Sequence, residues 1–212
     1  WEKTFGGSDR ENLASVQQTQ DKGYIIAGTS SSNISGNKSE NSKGDSDYWI
    51  IKTDSLGNIL WNKTIGSSAF DALSSFQQTA DGGYLLGGYS RGNASGDKTQ
   101  NQIGNDDFWL IKLDNSGNLV WDKTIGSLSD EFLCFVTQLK DESYLIVGRS
   151  SGGIGGDKTQ PLNGHYDLWA VKLTADGTTG VKEAKANFDV AVYPNPNKGK
   201  FNLQLHNLNV PT

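Results

Sequence analysis

Three stretches of the chain carry the same short polar motif: a glycine, then Asn or Asp, then Lys, then Ser or Thr. It occurs at Gly36–Ser39, Gly96–Thr99 and Gly156–Thr159. Amide, carboxylate, ammonium and hydroxyl groups in this pattern suit hydrogen bonding to sugar hydroxyls, and carboxylates also suit calcium, which takes about six to eight oxygen ligands. The same groups can instead bind the backbone of their own loops through Asx turns. The motif therefore predicts a sugar contact, a calcium site or a loop-stabilising role.

The candidate ligand-binding residues are the polar side chains of these motifs and of the segments that follow them. They are Asn37, Lys38, Asp45, Asp97, Lys98, Asp106, Asp157, Lys158 and His165. Paired acids such as Asp106 and Asp107 could contribute to a calcium site, but His165 and Tyr166 occupy the corresponding places in the third loop. Because no complete ligand set repeats, no metal site is predicted.

The acidic residues Glu11, Asp71 and Glu131 also recur at fixed spacing. Catalytic carboxylates of a glycosidase would have to be paired across a cleft, so acids that appear once per repeat are interpreted as structural. Lys52, Lys112 and Lys172 recur in the same way and are expected to bind loop carbonyls or these acids.

An active site normally breaks the symmetry of a repeated scaffold. The residues that do so here are Arg91, Arg149, Cys134 and His165, and they form no recognisable nucleophile–base pair. Cys134 lies in the apolar run Phe132–Val136 and is predicted to be an inert core residue. No catalytic residue is predicted, and the chain is expected not to be an enzyme.

The elements that position these residues repeat every 60 residues. The segment Lys52–Gly66 returns without a gap as Lys112–Gly126, and Trp1–Gly6 is the end of the same phrase. A fixed repeat sets the architecture of a chain. The predicted units are residues 1–60, 61–120 and 121–177.

Each unit is predicted to contain four strands, given for the first unit as Leu13–Thr19, Tyr24–Ser30, Asp47–Lys52 and Ile59–Ile65. Short turns containing Asp and Gly, such as Ala80–Gly83, separate apolar runs of strand length in the first two units, and no segment has the apolar period of a helix. Four-stranded units of constant length are typical of β-propeller blades, because one such sheet cannot bury both of its faces alone. The fold is predicted to be all-β, a propeller-like array in which Trp1, Trp49, Trp61, Trp109, Trp121 and Trp169 pack between blades.

The repeated phrase Asp-x-Trp-x-x-Lys-x-Asp-x-x-Gly-Asn-x-x-Trp-x-Lys-Thr-Ile-Gly resembles the bacterial β-propeller repeats called SBBP-type, over residues 1–177. Natural propellers have about four to eight blades, so two interpretations follow. Either the three units belong to a longer array, or they close alone or with the blades of another molecule. In both, Trp1–Gly6 is a candidate fourth strand for the third unit, which lacks its own.

The tail breaks the period. Residues 178–187 are predicted to be a linker, and residues 188–212 resemble the opening of the C-terminal sorting domain of type IX secretion substrates. The resemblance rests on Tyr193, Pro194, Asn195, Pro196, Gly199 and Phe201. It implies a truncated β-sandwich, recognition by the type IX secretion machinery, and a Bacteroidota protein that passes through the periplasm to become secreted or attached to the outer cell surface.

Composition restricts the partners. A net charge of −5 gives no basic surface for nucleic acid, and the apolar runs are too short to span a membrane. The predicted function is a non-catalytic propeller that binds glycan or protein, or serves as a structural module, with no cofactor required and calcium as the candidate ion. The alternative is an extracellular propeller enzyme that acts on polysaccharide.

Overall fold

A computed structural model describes residues 1–178 and the backbone of two further strands at 189–193 and 202–206. Its regular elements are all β-strands, and the described residues contain no helix. The strands are β1 (Glu11–Gln18), β2 (Tyr24–Ser30), β3 (Asp47–Thr53), β4 (Ile59–Ile65), β5 (Asp71–Gln78), β6 (Tyr84–Ser90), β7 (Asp107–Leu113), β8 (Leu119–Ile125), β9 (Glu131–Gln138), β10 (Tyr144–Ser150), β11 (Asp167–Leu173), β12 (Asp189–Tyr193) and β13 (Asn202–His206). The all-β prediction is confirmed.

The chain divides into two compact units, Trp1–Thr179 and Gly180–Thr212. In the first unit, consecutive strands pair antiparallel to form three sheets. Sheet 1 has the order β1-β2-β3-β4, sheet 2 the order β5-β6-β7-β8, and sheet 3 the order β9-β10-β11. The predicted limits of β2 and β4 are those observed, whereas β1 begins two residues earlier than predicted. Sheet 3 has three strands among the described residues, in line with the prediction that the third unit lacks a fourth strand of its own.

The third strand of each sheet explains why the sheets stack. It is apolar on both faces, so it needs cover on both. Every residue of β3 and β7 is buried, whereas β11 leaves several residues exposed. One apolar core lies between sheets 1 and 2 and a second between sheets 2 and 3. Sheet 2 is therefore covered on both faces.

Aromatic side chains link the sheets in the same way at both junctions. The ring of Tyr48 in β3 lies 5.1 Å from that of Trp109 in β7. One repeat later, Phe108 stacks on Trp169 at 5.3 Å. Trp109 and Trp169 thus pack between sheets, as predicted, whereas Trp49 borders a hollow beside Leu13 of sheet 1.

The tryptophans of the fourth strands also pack between sheets, each on the sheet that follows its own. Trp61 in β4 lies 6.0 Å from the ring of Tyr84 in β6. A Cβ atom at Gly117 would lie 3.0 Å from the Trp61 ring, and this glycine has a φ of 81°. The Asp-x-x-Gly-Asn turn therefore needs glycine at this position for two reasons: any other residue would strain the backbone, and its side chain would clash with the Trp61 ring.

Trp1–Gly6 does not pair with β11. It forms no strand in the structure, and it lies against sheet 1 as β4 lies against sheet 2. The Trp1 ring is 5.7 Å from that of Tyr24, and its Nε1 donates a hydrogen bond of 3.1 Å to the Ser55 carbonyl. The prediction that this segment completes the third unit of its own chain is therefore wrong for the described structure. The contacts of Trp1 therefore place Trp1–Gly6 on sheet 1.

Cys134 is exposed, which corrects its predicted place in the core. The pairing of β9 with β10 shifts register at this point, since Val147 faces Phe135 and Gly148 faces Leu133. Cys134 is the extra residue of this β-bulge, and a bulge residue has no ladder partner and need not point into a core. Counting apolar neighbours along the sequence could not reveal the shift.

The tight turn between the first two strands of each sheet is held by the periodic lysines. Lys112 Nζ contacts Asp81 Oδ2 at 2.8 Å and the Leu113 carbonyl at 3.0 Å. Partial burial acts to raise the pKa of Asp81, but hydrogen bonds from Lys112 and Thr79 outweigh it and lower the pKa to about 2. The partners of these lysines differ from the predicted ones: the carbonyl bound by Lys52 and by Lys112 is that of the last residue of the third strand, and the acid is the turn aspartate.

We expect Asp81→Asn to lower the free energy of unfolding by about 1–2 kcal/mol, because it leaves the ammonium of a buried lysine without its counter-charge. The Lys112 side chain is only 6% exposed. Since the folded-state pKa of Asp81 is depressed, its contribution is present above about pH 4 and is lost as the pH falls towards 2. Urea unfolding of wild type and variant at several pH values measures both effects.

Asp141→Asn is the matched control. Lys172 and Asp141 repeat the contact at 2.8 Å, but both side chains are more than half exposed. Exposed ion pairs contribute about 0–1 kcal/mol, so this variant should unfold close to wild type. Equal losses in the two variants would contradict the role given to burial.

In the second unit, β12 and β13 pair antiparallel, with Asp189 opposite His206 and Tyr193 opposite Asn202. Tyr193 ends β12. The other residues of the predicted sorting signal, Pro194, Asn195, Pro196, Gly199 and Phe201, lie outside the described residues, as does most of the predicted linker.

Candidate functional site

The long loops 31–46, 91–106 and 151–166 lie at one end of the sheets, together with the connections that enter β5 and β9. Asp45 N donates to the Ala69 carbonyl at 3.2 Å, and Asn105 N donates to the Ser129 carbonyl at 3.1 Å. We call this surface the long-loop end. Loops held on a rigid sheet scaffold are where binding residues usually lie.

The Asn and Asp of the repeated motif fasten each long loop to the preceding repeat. The amide N–H groups of Asn37, Asp97 and Asp157 donate to the carbonyls of Gly6, Gly66 and Gly126 at 2.9, 2.9 and 2.8 Å. Their side-chain oxygens accept hydrogen bonds from the N–H groups of the same glycines, at 3.2, 3.0 and 3.2 Å. Each residue thus closes a two-point contact, which supports the loop-stabilising interpretation of the motif.

The motif lysines Lys38, Lys98 and Lys158 are buried. Lys38 and Lys98 donate to the hydroxyls of Thr64 and Thr124, and Lys158 donates to the Gly152 carbonyl at 2.7 Å. Burial lowers the pKa of Lys98 to about 8, against the effect of the nearby Asp107 carboxylate. These ammonium groups are used inside the protein and do not reach a ligand from solvent.

The remaining predicted site residues do not form one site with the motif. Asp45 and His165 are exposed in different loops. Asp106 is buried and accepts a hydrogen bond of 2.8 Å from Arg91 Nε. Among the residues that the structure describes, no group of three or more His, Cys, Asp or Glu side chains is placed to hold a metal ion.

The periodic acids fasten the strand ends. Glu131 is buried and accepts hydrogen bonds from Ser127 N at 2.6 Å and Ser150 Oγ at 2.7 Å. Asp71 is buried and accepts from Ser67 N at 2.6 Å, and burial raises its pKa. This is the structural role that the sequence predicted for the series.

A cluster of arginine and aromatic side chains occupies the long-loop end of sheets 2 and 3. We call it the arginine–aromatic cluster; its members are Phe70, Tyr89, Arg91, Phe132, Arg149 and Tyr166. The rings of Phe70 and Tyr89 are 6.0 Å apart, and Tyr89 meets Phe132 edge-on at 5.0 Å. A row of rings therefore runs from one sheet to the next.

The two guanidinium groups lie over this row. Arg91 lies 5.1 Å from the Phe70 centroid, and Arg149 lies 4.6 Å from that of Phe132 and 5.2 Å from that of Tyr166. Both arginines and Tyr166 are exposed, and the other three rings are half-buried. Guanidinium groups over ring faces are held by cation–π attraction, so the cluster presents oriented donors and apolar ring surface together.

The two arginines differ in charge balance. Asp106 pairs with Arg91, and their hydrogen bond raises the pKa of that guanidinium further. For Arg149, no carboxylate stands within ion-pair distance in the part of the chain that the structure describes. Its donors are therefore open to an anionic group from outside.

No cluster member has the same residue type as its counterparts in the other units. Phe70 stands where the other units have Arg10 and Asp130, and Tyr89 stands where they have Thr29 and Arg149. The sequence pointed to Arg91 and Arg149 as departures from symmetry but missed the aromatic members. Comparing the three units position by position would have found them, since each ring replaces a residue of another type.

No protein-family model matches the chain, and no curated protein matches it. Within the described residues, no helix has the length and apolar character needed to cross a membrane.

Proposed function

We propose that this chain is a non-catalytic β-propeller module that binds an acidic glycan through the arginine–aromatic cluster. The propeller assignment is supported by four-stranded antiparallel meanders that repeat every 60 residues and pack face to face. The first strand of each later sheet also packs against the sheet before it, as inner strands of neighbouring blades do.

The observation that carries the binding role is the position and composition of the cluster. The cluster lies at the long-loop end, and each of its residues differs in type from the residues at the same position in the other units. Aromatic faces pack on the apolar faces of sugar rings, and arginine binds carboxylates through paired hydrogen bonds. Tyr166 and Phe132 supply the rings, and the unpaired guanidinium of Arg149 supplies the donors. A sugar that bears a carboxylate matches both.

Export belongs to the same proposal. The tail resembles the sorting domain of type IX secretion substrates at Tyr193–Phe201. On this basis the chain passes the periplasm, is recognised by that secretion machinery, and acts outside the cell or on its outer surface. An acidic polysaccharide is a ligand available to a protein in that position.

The test is binding of uronic-acid oligosaccharides by titration calorimetry, with neutral oligosaccharides of equal length as the comparison. We expect Arg149→Ala to weaken binding of the acidic sugar by about 10- to 100-fold, because a hydrogen bond to a charged group contributes about 1.5–3 kcal/mol. Tyr166→Ala should weaken it by about 5- to 10-fold through the loss of ring contact and of the cation–π pair.

Arg10→Ala is the control, since Arg10 is an exposed arginine before the first strand of sheet 1 and lies outside the cluster. It should bind like wild type. Equal binding of acidic and neutral sugars, or of wild type and Arg149→Ala, would refute the assigned site. Release of new sugar ends from the polysaccharide would instead favour the enzymatic alternative.

A further inference from the structure

The two arginines of the arginine–aromatic cluster lie in different charge environments. In the sheet 2 half, formed by Phe70 and Arg91, Arg91 Nε donates to Asp106 Oδ1 at 2.8 Å, and the Asp106 side chain is only 7% exposed. This hydrogen bond raises the pKa of Arg91, and the charge of Asp130 adds to the rise. Asp130 is itself held in place, because its Oδ1 accepts a hydrogen bond of 3.1 Å from Asn105 Nδ2. The sheet 2 half therefore places two carboxylates near one guanidinium.

The sheet 3 half, formed by Phe132, Arg149 and Tyr166, is built differently. The Arg149 guanidinium lies over two rings, 4.6 Å from the Phe132 centroid and 5.2 Å from that of Tyr166. Tyr166 has the position in the third repeat that Asp106 has in the second. An aromatic ring thus stands where the other half has its buried acid, so the two halves present arginine donors with different charge balance.

Tyr89 lies between the two halves. Its ring centroid is 6.0 Å from that of Phe70 and 5.0 Å from that of Phe132. The linked rings of an oligosaccharide follow one another at a similar spacing. A glycan whose acidic sugar is bound by Arg149 therefore extends over the sheet 2 half with its next sugars.

We infer that the cluster selects an acidic sugar flanked by neutral sugars, and that Asp106 is the residue that excludes a second carboxylate. This inference rests on the proposed function and specifies its ligand. The carboxylate of the acidic sugar binds Arg149, and a neutral sugar lies at the sheet 2 half. Arg91 keeps donors for the hydroxyl groups of that sugar, because Asp106 binds it through Nε and the Arg91 side chain is 55% exposed.

The selectivity comes from the charge of Asp106. A second ligand carboxylate at the sheet 2 half would compete with Asp106 for the Arg91 guanidinium and would be repelled by the acid that is already there. Salt screens buried charges much less than exposed ones, and Asp106 is buried. Binding sites often reject a wrong ligand through such a repulsive group as well as through attraction to the right one.

The test is titration calorimetry with three pentasaccharides: one with a single central uronic acid, one with uronic acid at every position, and one that is neutral. We expect wild type to bind the singly charged sugar about 10-fold more tightly than the fully charged one, because like charges across a binding site disfavour the complex. Asp106→Asn keeps an oxygen that accepts the Arg91 hydrogen bond but removes the charge. In this variant the affinities for the two charged sugars should become similar.

Asp9→Asn is the matched control. It removes the same charge from an exposed aspartate outside the cluster, whose N–H donates to Ser32 of the first long loop at 2.8 Å. The net charge of the chain changes equally in both variants, so Asp9→Asn should keep the wild-type ratio of affinities.

Asp106→Ser is a second variant at the selecting position. The first repeat has Ser46 there, so the scaffold accommodates serine, and this variant should behave like Asp106→Asn. A wild-type ratio in both Asp106 variants would overturn the inference, as would an equal change of the ratio in Asp9→Asn.

The inference and the proposed function can be told apart by the wild-type measurements. A wild-type chain that binds neither charged sugar refutes the proposed function, and the selectivity with it. A wild-type chain that binds both charged sugars equally, and more tightly than the neutral one, supports the proposed function and overturns the selectivity alone.

Discussion

Replacing Trp109 with alanine is expected to lower the free energy of unfolding by about 3–5 kcal/mol, the usual cost of truncating a buried aromatic side chain. Trp109 is fully buried between sheets 1 and 2. The Tyr48 ring lies 5.1 Å from the Trp109 ring, and Trp109 Nε1 donates a hydrogen bond of 3.0 Å to Asp122 Oδ2. The loss combines a cavity between two sheets with the loss of the indole hydrogen bond to Asp122.

Urea unfolding followed by circular dichroism measures this loss. Trp1→Ala is the matched control, because Trp1 is 67% exposed and makes its contacts at the surface. We expect Trp1→Ala to cost less than about 1 kcal/mol, and a loss of similar size in both variants would contradict the assignment of Trp109 to the inter-sheet core.

Raising the pH from 7 to about 9.5 is expected to stabilise the protein by about 1–3 kcal/mol. Burial lowers the pKa of Lys98 to about 8 in the folded state, whereas an unfolded lysine titrates near about 10.4. Between these values the unfolded chain binds more protons than the folded chain, so the free energy of unfolding rises with pH. Below pH 8 the lysine is charged in both states and its burial costs stability.

The rise should end near pH 10. Burial raises the pKa of Tyr84 to about 12 and that of Tyr48 well above its usual value. Unfolded tyrosines lose their protons near about pH 10, so above that pH the unfolded state is favoured again. The stability profile therefore has a maximum in the alkaline range.

Lys98→Met isolates the cause, because it keeps the length of the side chain without the charge. Urea unfolding of this variant should show a smaller rise between pH 7 and 9.5; the remainder comes from Lys38, since burial lowers the pKa of that lysine as well. Lys140→Met removes an exposed lysine and should keep the wild-type profile. Parallel profiles for wild type and Lys98→Met would show that another group drives the effect.

Local sequence patterns predicted most of the strands in Trp1–Thr179. The limits of β2 and β4 follow from turn signals and apolar runs that act over a few residues, and such signals do not depend on the rest of the fold. The failures are of another kind. Cys134 is exposed because of a register shift between β9 and β10, and Trp1–Gly6 lies against sheet 1 and not beside β11, because Trp1 contacts Tyr24 and Ser55.

The candidate site was harder to predict for a related reason. Residue type alone marked Lys38, Lys98 and Lys158 as ligand-binding. In the structure their ammonium groups point inward, because hydroxyls and carbonyls that the fold brings together accept their hydrogen bonds. The arginine–aromatic cluster joins Phe70 to Tyr166, which are nearly one hundred residues apart, through the packing of sheet 2 on sheet 3. Each member is ordinary in its own repeat, and only their proximity suggests binding.

The packing of each outer tryptophan on the following sheet has a consequence for the order in which the protein opens. Trp61 belongs to sheet 1 but covers Tyr84 and Gly117 of sheet 2, and Trp121 of sheet 2 covers Tyr144 of sheet 3. When one sheet separates, its neighbour therefore loses part of its own cover. In arrays held together by nearest-neighbour contacts, such losses pass from unit to unit. Opening of the chain should start at sheets 1 and 3, and the amide protons of β6 and β7 should be the last to exchange with solvent.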